Sequence, residues 1–242
     1  DITFLGRHVG KSELSYSEHS KYRGVDGVIV ACVDFEAEEV KELLQSGIPV
    51  VTIDYIFNDK ACVMSDNIRG MEQLVSYIIQ CGHKKIAYIH GADSFVTRSR
   101  IGSFLRTMKK YGIETEDRYI REGIYHAPDV SAKITHELLS LEDSPTCIFY
   151  PDDLSVVGGK NAIRNMKLHS PKNVSVAGYD GTRFSQMLNP KITTIRQNTR
   201  EIGRIAADEL ISAIENPRST IVKRVVVDAE LIEGETIKRI GN

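Results

Sequence analysis

The chain has 242 residues, 41% hydrophobic and 26% charged, which is the balance of a globular fold and excludes global disorder. Lys plus Arg number 31 and Asp plus Glu 33, a formal charge of −2, so bulk charge cannot hold nucleic acid and any such binding needs a local patch or another domain. The apolar stretches are short and fall far below the roughly 20 residues of a membrane-spanning helix.

The dominant pattern is short β-branched runs alternating with amphipathic segments. Residues 25–33 (VDGVIVACV) read as a buried strand. Residues 36–47 place Val40, Leu43 and Leu44 on one helical face, with Gly47 as the stop. Residues 48–53 (IPVVTI) are the next strand. Residues 67–81 read as a helix striped by Met71, Leu74, Val75 and Ile78 and ended by Gly82. A strand over 84–91 is followed by helices over 97–111 and 131–141. A strand over 146–151, a helix over 154–166 and a strand over 173–181 follow. A long helix spans 199–215, stopped by Asn216-Pro217, and residues 223–234 close as one strand or a pair. Apolar strands linked by helices mean parallel sheets covered on both faces, hence an α/β fold. With no Pro/Gly/Ser-rich linker, any two lobes must be joined by crossing strands.

Cys32, Cys62, Cys81 and Cys147 are far apart, with no CxxC and no Cys/His zinc spacing. They read as free thiols in a reducing, cytoplasmic compartment, and neither metal nor cofactor is expected. No secretory leader opens the chain. It starts inside the alternating segment DITFL, which reads as the interior of a longer protein.

In open parallel sheets ligands bind beyond the carboxyl ends of the strands. The polar residues there are Asp34, Asp54, His90, Asp152 with Asp153, and Asp180. No GxGxxG or GxxxxGK[ST] loop follows a strand, so the dinucleotide and phosphate-loop readings lose their main support. The Asp residues leave a catalytic or Mg²⁺ reading open in principle, but no nucleophile motif accompanies them.

Several motifs occur together in order: VDGVIVA, SGIPVVTID, SDN at 65–67, CGHKKIAYIHG, RSRIGSF at 98–104, PTCIFYPDDLSVVGGKNAIR, VSVAGYDG and ITTIRQNTREIGRIAADELI. In combination the chain resembles the effector-binding core of the lac repressor family of bacterial transcription regulators, itself similar to periplasmic sugar-binding proteins. The resemblance covers nearly the whole chain. It implies two similar lobes, each a parallel sheet flanked by helices, joined by crossovers. Residues 1–82 with 197–226 would form the first lobe and 83–196 with 227–242 the second. It also leads us to expect that a helix-turn-helix headpiece and a first strand–helix unit lie upstream. Residues 1–8 would then be the second strand of the first lobe, next to a slot of one strand's width, a rearranged strand or a strand donated by a partner, while the second lobe is regular.

The resemblance implies a ligand site from Arg100, Asp180, Asp152, Tyr125, Gln197 and Asp66. Arg100, the second Arg of RSR, matches the effector-clamping arginine, and a guanidinium can donate paired hydrogen bonds to vicinal hydroxyls or a carboxylate. Asp180 and Asp152 follow strand ends and can accept hydroxyl hydrogen bonds. Tyr125 offers a flat ring to a sugar or purine. Gln197 lies at a crossover, and Asp66 lies near the hinge. Asp153 is expected to cap the next helix, and Gly178 to turn the backbone so that Asp180 faces the cleft. Ser65 and Asn67 are expected as cap and hinge residues, Arg98 as a surface partner, and His90 as structural. The implied function is an allosteric sensor, not an enzyme. A small effector, a sugar or polyol by the chemistry of the site, binds between the lobes of a homodimer and controls operator binding through the headpieces. The alternative is an exported sugar-binding protein for transport or chemotaxis.

Overall fold

The computed structural model describes residues 1–6, 8–9, 12–57, 59–217 and 222–241. In chain order the elements are β1 (His8–Val9), β2 (Ser12–Glu13), α1 (Tyr16–Arg23), β3 (Val28–Val30), α2 (Glu38–Gln45), β4 (Val50–Ile53), β5 (Ala61–Ser65), α3 (Asn67–Gln80), β6 (Ile86–His90), α4 (Phe95–Lys110), β7 (Ile120–Glu122), α5 (Pro128–Leu139), β8 (Cys147–Phe149), α6 (Asp153–Asn165), β9 (Ser175–Asp180), β10 (Thr193–Gln197), α7 (Thr199–Glu215), β11 (Arg224–Val227) and β12 (Ala229–Ile232). The chain divides into two compact units. Unit 1 is Asp1–Ser65 with Thr199–Val227, and unit 2 is Asp66–Asn198 with Asp228–Asn242.

Unit 1 holds a four-stranded parallel sheet in the order β11-β5-β4-β3. Strand alternation splits its apolar residues between two faces. Val50 packs with Val30 and the α2 stripe Val40, Leu43 and Leu44. Val51, its neighbour, faces the other way into Val63, Val227 and the α7 residues Ile202 and Ala206. Sequence reading passed over α1, because no apolar stripe marks it; its buried side chains are Ser17, His19 and Ser20. Its ends carry it instead. Ser15 and Glu18 form a reciprocal capping box, and Gly24 closes the helix in the left-handed conformation at φ 61°.

The expected strand over residues 1–8 is not formed. Residues 1–6 have no regular structure, and Ile2 and Phe4 are 96% and 97% exposed. Among the described residues His8–Val9 pair only with Ser12–Glu13, in a short antiparallel hairpin. An alternating segment becomes a strand only when it has a ladder to join and a face to bury. Among the described residues nothing joins the outer edge of β3.

Unit 2 is regular. Its six-stranded sheet runs β12-β10-β9-β8-β6-β7, parallel except for β12, which lies antiparallel on β10. Along β6, Ile86 and Tyr88 join the core under α3 and α4, while Ala87 and Ile89 join the core under α5 and α6. Cys147 and Phe149 of β8 repeat the first choice, and Ile148 repeats the second. This double burial is why the strands read as unbroken apolar runs. The thiols of Cys62, Cys81 and Cys147 are free and buried, and that of Cys32 is free and exposed.

The boundary expected after residue 82 moves to Ser65/Asp66. The α3 stripe Met71, Leu74, Val75 and Ile78 belongs to one core with Tyr88, Phe104, Met108 and Phe149 of unit 2. Amphipathicity fixed that α3 has a buried face, but not which sheet it covers. The chain returns to unit 2 at Asp228, and residues 228–241 tie into it at several points. Gly82, left-handed at φ 96°, lies so close to the Ile240 carbonyl that a Cβ there would meet it at 1.7 Å. His83 is 1% exposed, with Nε2 2.9 Å from the Lys238 carbonyl and Nδ1 2.9 Å from Thr146 Oγ1.

Two tests follow from this packing. A Cβ at Gly158 of α6 would lie 1.8 Å from the Pro128 carbonyl at the start of α5, whereas one at Gly203 of α7 meets nothing within 4 Å. We expect Gly158→Ala to lower unfolding free energy by roughly 1–3 kcal/mol by overpacking. Gly203→Ala should raise it by about 0.5–1 kcal/mol. Chemical denaturation of both variants measures the contrast. In the second test, burial holds His83 below the ordinary histidine value of 6.5. The unfolded chain therefore takes up the proton first, and stability is lost as pH falls below about 6.5, by up to about 1.4 kcal/mol per pH unit. Melting curves from pH 8 to pH 5 should show this slope in the wild type and a shallower one in His83→Gln.

Candidate functional site

Every residue expected at the ligand site lies in unit 2, at or beyond the carboxyl ends of its strands or at the start of the helices that follow. Helix α4 begins on Ser94, whose hydroxyl accepts from the Thr97 amide at 3.0 Å, and this sets Arg100 two turns into the helix facing inward. Arg100 is 3% exposed. Its Nε donates to Asn67 Oδ1 at 2.8 Å and its Nη1 to the Pro151 carbonyl at 3.3 Å. Its guanidinium carbon lies 3.6 Å from the centre of the Tyr179 ring, a cation–π contact in a dry setting. Among the described residues nothing bonds to Nη2.

Asp180 ends β9 in a left-handed conformation, φ 98°, and is half-buried. Its Oδ1 accepts from Gln197 Nε2 at 2.6 Å, so Gln197, at the end of the adjacent β10, holds the carboxylate. Burial pushes the Asp180 carboxyl above the ordinary value of 3.8, and Asp152 adds to this; Arg100, the Gln197 hydrogen bond and His126 oppose it. Oδ2 has no hydrogen-bond partner among the described residues. Arg100 and Asp180 form no direct ion pair, yet each lies in the field of the other.

Tyr125 packs its ring over Gly91, where a Cβ would meet ring carbon at 2.0 Å. Its hydroxyl is 2.9 Å from Thr97 Oγ1, and since Thr97 donates to the Ala92 carbonyl at 2.8 Å, the tyrosine is the donor. Asp66 is the N-cap of α3, accepting from the Arg69 amide at 2.9 Å. The next residue, Asn67, grips Arg100, so the SDN segment bears on the site by positioning that arginine.

The roles expected of Asp152 and Asp153 change. Asp152, not Asp153, is the N-cap of α6, with Oδ1 accepting from the Ser155 amide at 2.8 Å. Its Oδ2 accepts from Ser155 Oγ at 3.0 Å and from the His126 amide at 2.8 Å. Asp152 is 1% exposed, and both its oxygens are engaged within unit 2. Asp153 points into the protein. Its Oδ2 accepts from the amide and hydroxyl of Thr182, both at 2.7 Å, and its Oδ1 from Thr194 Oγ1 at 2.7 Å. Burial raises its carboxyl, and these hydrogen bonds oppose the rise. Gly178 does not turn the backbone as expected. It sits inside β9, and a Cβ there would lie 2.5 Å from Asp153 Oδ1, so it makes room for that carboxylate. The turn falls at Asp180 and Gly181, both at positive φ.

Sequence reasoning missed two contributors, Tyr179 and His126, and expected Asn67 as a cap or hinge residue, whereas Asp66 is the cap. Asn67 and Tyr179 fix Arg100. His126, left-handed at φ 57°, is exposed with Nδ1 3.6 Å from Asp152 Oδ1, and it acts on Asp180. The alternation of β9 could have put Tyr179 on the α4 face; nothing local marks His126. His90 lies at the rim, with Nδ1 2.7 Å from the Gly91 carbonyl, and Arg98 forms an exposed pair with Asp93. Among the described residues no group of three His, Cys, Asp or Glu side chains could hold a metal, and no helix is long and apolar enough to cross a membrane. The arrangement has the chemistry to bind a ligand, with one open donor edge, one open acceptor and a ring held in place beside them.

Residues 75–237 match the family of periplasmic binding protein-like domains. The HTH-type transcriptional repressor PurR of Vibrio vulnificus is 30% identical over 223 residues, covering 90% of this chain and 66% of the repressor, so the chain spans just under two thirds of that relative. A LacI transcriptional regulator from Bacillus cereus subsp. cytotoxis superimposes with a TM-score of 0.84 at 26% identity, covering 91% of this chain and 79% of that one. A LacI family regulator from Enterococcus faecium, solved with bound ribose, has a TM-score of 0.83 at 22% identity, covering 95% of this chain and 85% of that one, a likeness of fold. The chain belongs to the periplasmic binding protein-like family, and is similar to regulators of the lac repressor type.

Proposed function

We propose that this chain is the sensing core of a transcriptional repressor, and that the Arg100–Asp180 cluster takes a neutral polyhydroxyl effector, a sugar or close relative. The observation that carries the reading is the pairing of an open donor edge with an open acceptor. Arg100 Nη2 and Asp180 Oδ2 are unengaged, while the rest of each group is held by Asn67, Pro151, Tyr179 and Gln197. A hydroxyl both donates and accepts, so a vicinal diol satisfies such a pair, whereas a phosphate meets repulsion from Asp180 and Asp152. Tyr125 supplies a ring for the apolar face of a pyranose or furanose. The ribose bound by the Enterococcus faecium relative agrees with this ligand class.

In this reading the protein is not an enzyme and works in the cytoplasm. It assembles as a homodimer, and a helix-turn-helix headpiece makes the contact with operator DNA. The effector acts by binding one conformational state better than the other, which is the only way a ligand can shift such an equilibrium. Asp152, Gln197 and Asp66 serve the site by holding His126, Asp180 and the start of α3.

A thermal-shift screen of sugars identifies the effector, because a ligand at 100 times its Kd adds about 2.7 kcal/mol of stability. With that sugar, Arg100→Ala should weaken binding by about 1.5–3 kcal/mol in calorimetry, the scale of a charged hydrogen bond, and Arg100→Lys should not restore it. Unchanged affinity in Arg100→Ala would remove the cluster as the site. The pH dependence gives an independent check. Asp180 accepts from a hydroxyl through its ionised form, and burial places its protonation above 3.8. Affinity should therefore fall as the solution is acidified through that raised value. Asp180→Asn should bind weakly with a flattened acid limb.

A further inference from the structure

The second half of α6 borders a cavity of about 350 Å³ that shares no residue with the Arg100–Asp180 cluster. Lys160 lies seven residues into α6, about 11 Å along the axis from its capped end. Lys160 and Arg164 stand one turn apart on the same helical face, and His169 and Ser170 follow in the loop. Like charges at that spacing repel one another. No carboxylate lines the cavity, and among the described residues none pairs with Lys160, Arg164 or His169.

Lys160 is half-buried, and among the described residues the one partner of its Nζ is the Pro190 carbonyl at 3.4 Å. Burial pushes its ammonium below the ordinary lysine value. Among the described residues Arg164 Nη2 reaches only Asn161 Oδ1, at 3.2 Å. The Ser170 hydroxyl is buried without a hydrogen-bond partner, which is uncommon for a polar group shielded from water. Leu168 and Leu188 form an apolar wall continuous with the core under α5 and α6. The cavity thus combines a lysine and an arginine lacking counter-charge, an unused hydroxyl, a histidine and an apolar surface.

We propose that this cavity is a second binding site, for a small organic phosphate. The phosphate dianion would lie on Lys160 and Arg164 and accept from Ser170, and the organic body would pack on Leu168 and Leu188. A dianion matches the two uncompensated cations, and a guanidinium and an ammonium are the usual phosphate donors. The proposal is independent of the polyol site, from which Asp180 and Asp152 repel phosphate.

The test titrates the full chain with phenyl phosphate, inorganic phosphate and phenol, by calorimetry. Phenyl phosphate is expected to bind about tenfold more tightly than inorganic phosphate, and phenol not to bind. Lys160→Gln combined with Arg164→Gln should weaken phenyl phosphate by at least about tenfold with an unchanged melting temperature, and Arg100→Ala should leave it unchanged. Loss of binding in Arg100→Ala would place the phosphate in the polyol cluster and overturn the proposal. Full affinity in the double variant, or no binding by the wild type, would overturn it as well. Sedimentation of the same samples distinguishes the other occupant: if the double substitution changes the association state and phosphate does not bind, a second copy of the chain covers this face. Failure of every sugar to bind would count against the polyol reading and leave this proposal standing.

Discussion

The arrangement at the strand ends of unit 2 depends on a guanidinium taken out of water. An isolated buried charge carries a penalty of several kcal/mol after relaxation. Arg100, carried on α4, meets that penalty with partners from three other segments: Asn67 from the start of α3, the Pro151 carbonyl after β8 and the Tyr179 ring from β9. The charge therefore fixes the mutual placement of those segments. Asp180 follows Tyr179 directly, so the residue that stacks on the cation also sets where the carboxylate stands. Gln197 then locks the carboxylate from β10. In the proposed site, binding chemistry and structural support are the same set of contacts.

Much of this was legible in the sequence. Continuous apolar runs meant sheets buried on both faces, and the six-stranded sheet of unit 2 has that form. Polar residues after strand ends marked a candidate site, and the RSR and GYDG motifs singled out Arg100 and Asp180, which the fold places in each other's field. What remained hidden was decided by single-residue geometry. Asp152 and Asp153 are adjacent carboxylates at a helix start, and one residue of helix rotates a side chain by about 100°. That rotation sends Asp152 to the cap and His126, and Asp153 into the hydroxyls of Thr182 and Thr194. Composition cannot separate two such neighbours.

Other elements were hidden because their determinants are not periodic. Helix α1 is held by its capping box and Gly24, with buried serines in place of an apolar stripe. The reverse error concerns residues 1–6, where alternation alone suggested a strand. Ile2 and Phe4 are almost fully exposed, so the pattern has no surface to satisfy it. The assignment of α3 failed for a third reason: a helical stripe names a buried face, and only long-range packing names its partner.

Unit 2 is discontinuous in the chain, and this bears on its synthesis. Residues 66–198 supply five strands of its sheet, but the edge strand β12, the Lys238 carbonyl that holds His83 and the Ile240 amide that donates to the Cys81 carbonyl come from residues 228–241. Those residues leave the ribosome after α7 and β11, the last elements of unit 1 to be made. The larger unit therefore begins to assemble early with one edge of β10 unpaired and the seat of His83 vacant. It is completed only after unit 1 has received its final strand. During translation the nascent protein holds an open β10 edge for the time needed to make about 30 further residues, an interval in which pairing with another chain competes with native closure.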